Sequence, residues 1–92
     1  MKNTFYIKTR LDDLLYDNIP RTEEKRMDYY DIQKFVFWIF NCGNYRTEQE
    51  LRNSLKKYKE ELMAIEGERN PTPMQLNPIK RKISLLKDIL ED

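Results

Sequence analysis

Three adjacent carboxylate pairs, Asp12-Asp13, Glu23-Glu24 and Glu60-Glu61, and one thiol, Cys42, are the side chains best suited by type to acid–base, metal-binding or nucleophilic chemistry. Their arrangement argues against all three. Successive residues on a helix diverge by about 100°, so adjacent carboxylates do not converge on one metal or substrate. They read instead as solvated or helix-terminal charges. The chain has no histidine, which removes the commonest metal ligand and the usual general base near neutral pH. It also leaves Cys42 without a His partner to activate it, so Cys42 reads as a small half-buried residue beside a turn. A single cysteine excludes an intrachain disulfide and a cysteine-based zinc site. The expectation is a non-catalytic protein with no cofactor, no metal and no small-molecule substrate.

Two other constellations suit binding. The first is the run from Tyr29 to Phe40, Tyr-Tyr-Asp-Ile-Gln-Lys-Phe-Val-Phe-Trp-Ile-Phe, which holds most of the large aromatic side chains. At helical steps Tyr29, Ile32, Phe35, Val36, Ile39 and Phe40 share one broad face, which is ordinary core. Tyr30 and Phe37, seven apart, project to another side near Lys34 and Asn41, and Trp38 points away again. A helix apolar all round is usually buried on several sides. Yet a chain this small has few elements to cover it. Tyr30, Phe37 and Trp38 are therefore the candidate interface for a protein partner or a second copy, since aromatics are enriched at such surfaces.

The second is a basic ridge. Arg52, Lys56 and Lys59 fall at similar angles with Met63, about a quarter-turn from a leucine seam. Lys80 and Lys87, with Ser84 between them, make a comparable line further on. Such a strip could contact phosphates, and it carries the alternative reading, a nucleic-acid-binding regulator. The competing explanation is a solvated face, because Glu48, Glu60 and Glu66 lie close by. Lys80-Arg81-Lys82 splays around its helix, with Lys82 beside the apolar stripe where its methylene stem can lie.

The elements that must position these residues follow from periodicity. Ninety-two residues suit one domain with a thin margin of stability. Apolar and aromatic residues at 39% against charged residues at 36% are a globular rather than a disordered balance. The net charge of +1 suits nucleic acid only if the positive charge is segregated. No apolar run approaches transmembrane length and no signal-peptide stretch follows Met1. No membrane contact is expected, and a reducing, cytoplasmic setting is.

The predicted fold class is all-α: a small bundle of three to four helices with a C-terminal antiparallel helical hairpin, in one domain. The segments are an N-terminal arm or helix over residues 1–20, an aromatic central helix over 22–43 and the hairpin over 47–92. Residues 4–9 have the composition of a strand, but Ile7, Leu11, Leu14 and Leu15 repeat at helical spacing. The favoured helix is 9–18, with Thr9 to Asp12 as a capping box, ended by Pro20. The central helix runs through Phe40 and stops at Gly43 as a left-handed cap, with a turn over 41–44. Thr47-Glu48-Gln49-Glu50 is a capping box, and Leu51, Leu55, Tyr58, Leu62 and Ile65 form a heptad seam that Gly67 ends. Residues 68–76, with Pro71 and Pro73, read as a stiff connector or recognition loop, with Met74 and Leu76 tucked onto the hairpin. Asn77-Pro78 restarts a helix whose stripe is Ile79, Ile83, Leu86 and Leu90.

By association, short lysine- and asparagine-rich chains of this kind are frequent among phage and mobile-element accessory proteins. The expected function is a small interaction protein that binds and modulates or inhibits a host macromolecular machine.

Overall fold

The computed structural model describes every residue other than Cys42, Arg69 and Asp92, and Asn41 by its backbone alone. The chain is all-α, with helices α1 (Thr4–Asp17), α2 (Arg26–Ile39), α3 (Glu48–Glu66) and α4 (Pro73–Leu90). Among the described residues the only strands are the two-residue pair β1 (Phe40–Asn41) and β2 (Asn44–Tyr45). The chain divides into two compact units, residues 2–46 and residues 47–92 together with Met1.

In the first unit α1 begins earlier than the expected 9–18. Asn3, not Thr9, is its cap: the Asn3 side chain accepts from the Tyr6 N–H at 2.8 Å. Thr9 lies inside the helix, its hydroxyl donating to the Phe5 carbonyl at 2.9 Å. One well-made cap and the Ile7–Leu11 repeat, both buried, outweigh the modest strand preference of residues 4–9. At the other end the Asn18 amide donates to the Leu14 carbonyl at 2.8 Å, and Pro20 follows two residues later. A single 3₁₀ turn, Glu23–Lys25, leads into α2. Helices α1 and α2 pack on each other; Ile7 and Leu11 are buried on the first, and Ile32, Phe35, Val36 and Ile39 on the second.

Helix α2 ends one residue before the expected Phe40. Phe40 is extended, and it pairs antiparallel with Tyr45 while Asn41 pairs with Asn44. Gly43 has φ +82 as expected of a left-handed residue, but it serves the turn between two strands rather than a helix cap. The Phe40 and Tyr45 rings lie 4.6 Å apart, and the Tyr45 hydroxyl donates to the Thr4 carbonyl at 3.3 Å. This ties the strand pair to the start of α1.

The second unit is the expected C-terminal helical hairpin, α3 packed on α4. The capping box is formed on both sides: Thr47 Oγ1 accepts from the Glu50 N–H and Glu50 Oε1 accepts from the Thr47 N–H, each at 3.2 Å. Leu51 and Leu55 are buried, whereas Tyr58, Leu62 and Ile65 are half-buried, so the seam opens toward its C-terminal end. Leu62 is thus less covered than the heptad implied.

Helix α4 starts at Pro73 rather than Asn77-Pro78. Thr72 is the cap, with Gln75 Oε1 accepting from the Thr72 N–H at 3.0 Å, and Pro73 takes the first helical position, where no donor is needed. Pro78 then sits inside the helix. Met74, expected to tuck onto the hairpin, is 87% exposed. Ile83, Leu86 and Leu90 are buried as the stripe requires, and Leu85 and Ile89 beside them are buried too. The buried arc of α4 is therefore wider than one stripe.

Candidate protein-binding face and basic ridge

Helix α2 sorts its side chains sharply. At 100° per residue the buried Ile32, Phe35, Val36 and Ile39 fill one arc. Tyr30 (51% exposed), Phe37 (60%) and Met27 (77%) fall on the roughly opposite arc, with exposed Lys34 between Tyr30 and Phe37. Met27 and Phe37 are ten residues apart, about 15 Å along the helix axis. Tyr29 and Phe40, expected in the core, are half-buried.

Trp38 stands differently from Tyr30 and Phe37. It is half-buried, its ring stacked on Phe35 with centroids 6.2 Å apart. The Arg46 guanidinium lies 5.1 Å from its ring centroid, and Arg46 Nε donates to the Trp38 carbonyl at 2.8 Å. The Arg46 backbone N–H donates to the Ile39 carbonyl at 2.9 Å. Arg46 therefore satisfies two of the carbonyls that a helix end leaves open and places a cation at the negative end of the α2 dipole. Sequence reading missed Arg46. The signal for it is weak, a lone arginine just past a turn, because its partner lies eight residues upstream.

Apolar exposure is not confined to α2. Phe5 and Tyr16 on α1, and Ile19 after it, are exposed as well. Phe5 and Tyr16 project at nearly the same angle, opposite the buried Ile7 and Leu11.

On the hairpin Lys56, Lys59, Lys80 and Lys87 are exposed and Arg52 is half-buried. Arg52 Nη2 bonds Glu48 Oε1 at 3.0 Å, so one end of the ridge is charge-paired along the helix. Met63, at the other end, is exposed. Lys82 lies as expected beside the apolar stripe, its ammonium 5.4 Å from the centre of the Tyr58 ring.

Among the described residues no three His, Cys, Asp or Glu side chains are grouped to hold a metal ion. No helix is long and apolar enough to cross a membrane. The expectation for Cys42 lies outside the described residues. No family model matches the chain, and no curated protein or solved structure matches it.

Proposed function

We propose that the protein is a small non-catalytic binding protein that recognises another protein through the outer face of α2. The observation that carries this reading is the exposed stripe Met27–Tyr30–Phe37 opposite a fully formed buried face. The buried face already provides the packing of α2, so the outer aromatics are not needed for the unit's own core. Spaced at three and seven residues, they match the anchor pattern of a helix laid in a groove. A small chain presenting such a face is suited to act as an adaptor or inhibitor, modulating a larger machine by occupying part of it. Trp38 supports the stripe from its edge and is the weakest of the three anchors, because Phe35 and Arg46 already cover much of its ring. Nucleic-acid binding through Lys56, Lys59, Lys80 and Lys87 is the second reading. The pairing of Arg52 with Glu48 counts against it.

The test is quantitative capture of partners from the source cells by the wild type and by Phe37→Ala. Truncating an aromatic anchor typically costs 2 kcal/mol or more, roughly a thirtyfold loss of affinity. The variant should lose the partner while keeping its helical circular-dichroism signal. Undiminished capture, or an unfolded variant, overturns the reading.

A further inference from the structure

Both cations of α2 lie on its exposed side, with the aromatic stripe. Over the whole of α2 the cationic residues are Arg26 and Lys34, both exposed. Lys34 lies within the stripe, and Arg26 lies about one turn before Tyr30 on the same side of the helix. Neither makes an ion pair among the described residues. The only carboxylates of α2 are Asp28 and Asp31. Both are half-buried and already engaged by other groups; Asp28 falls on the buried arc and Asp31 at the edge of the stripe, about 40° from Met27. Tyr30 and Phe37 are therefore set beside two uncompensated cations.

We propose that this face binds a protein surface that is apolar at its centre and rimmed by carboxylates, seating Tyr30 and Phe37 and pairing Lys34 and Arg26 with Asp or Glu. The inference rests on the reading of α2 as a protein-binding helix and adds the chemistry of the partner. Charge complementarity carries it. Moving two cations against a neutral or basic surface costs desolvation with nothing in return, whereas opposed carboxylates steer encounter and fix register. A second copy of the chain is a poor occupant, because two such stripes would bring four cations together while the exposed carboxylates that precede them, Glu23 and Glu24, lie outside the 26–37 span. An anionic lipid surface shares the charge, but exposed Glu23 and Glu24 stand one turn from Met27. A flat bilayer meets those carboxylates together with the stripe; a groove spanning residues 26–37 avoids them.

The experiment places p-benzoylphenylalanine at position 37 of the full chain, irradiates it in an extract of the source cells and sequences the attached peptides. The identified partner is then purified and titrated at low and high salt. The expected result is attachment beside Asp or Glu in an apolar stretch, with Lys34→Glu weakening the complex about tenfold at low salt and much less at high salt. Lys34→Met should also weaken binding and flatten its salt dependence, although it enlarges the apolar stripe. Circular dichroism on each variant checks that the helices persist.

Loss of binding in Phe37→Ala with no loss in Lys34→Glu, or tighter binding by Lys34→Met, keeps the protein-binding helix and overturns the acidic partner. Attachment only to a second copy of the chain also overturns it. So does binding to phosphatidylserine–phosphatidylcholine vesicles that Lys34→Glu abolishes. Absence of any attached protein, with Phe37→Ala unchanged in capture, overturns the binding helix itself and the inference with it.

Discussion

Truncating Leu55 should cost far more than truncating Leu62, although the two occupy equivalent places in one heptad seam. Leu55 is 3% exposed, whereas Leu62 is half-buried. Leu→Ala removes about three carbon groups, roughly 2.4 kcal/mol of transfer free energy at about 0.8 kcal/mol each. At Leu55 the cavity left behind adds to this, for a total of about 3–4 kcal/mol. At Leu62 the lost burial is about half as large and water fills the space, so the cost is about 1 kcal/mol. Leucine and alanine have similar helix propensities, so α3 itself contributes little to the difference. For a chain of this size about 1 kcal/mol lowers the melting temperature by roughly 4–8 °C. Leu55→Ala should thus melt more than 10 °C below wild type and Leu62→Ala only a few degrees below. Thermal unfolding followed by far-ultraviolet circular dichroism, with urea titration as a second measure, reads both. Equal losses, or a greater loss at Leu62, would show that α3 and α4 meet in a different register and would sink the reasoning.

Two further substitutions test the helix ends. Arg46→Ala removes a charge-assisted bond to the Trp38 carbonyl and a cation over the Trp38 ring, so urea titration should show a loss of about 1–3 kcal/mol; an unchanged midpoint would mean that water replaces the guanidinium without cost. Pro78 has no N–H to give the Met74 carbonyl inside α4, and Pro78→Ala should stabilise the protein by about 1–3 kcal/mol, whereas a lower melting temperature would show that the half-buried ring is worth more as packing than the bond it forgoes.

The parts of the fold legible in the sequence are those written in local spacing. Thr47 and Glu50 make the capping box that their types and separation imply, and Leu51, Leu55, Ile83, Leu86 and Leu90 are buried at the positions periodicity assigns. The parts that were not legible depend on competition or on distant partners. Thr9 and Asn3 are both good caps, and the choice turned on one more turn of helix being available through Ile7. Thr72 and Asn77 each precede a proline, and the earlier start prevailed although it placed Pro78 inside the helix. The strand pair is too short to show any alternation, and it depends on Arg46 reaching back to Ile39. For the candidate face, the outward angle of Tyr30 and Phe37 followed from helix geometry alone. The cover on Trp38 did not, since no periodicity links it to Arg46.

Trp38 is the chain's only tryptophan, and its position gives the molecule a built-in optical gauge. The indole lies at the junction where α2 turns into the strand pair, in contact with Phe35 on one side and a guanidinium on the other. Its emission therefore reports on that junction alone, while circular dichroism averages over four helices. An opening confined to the strand pair would redden and alter the indole emission with the helical signal intact.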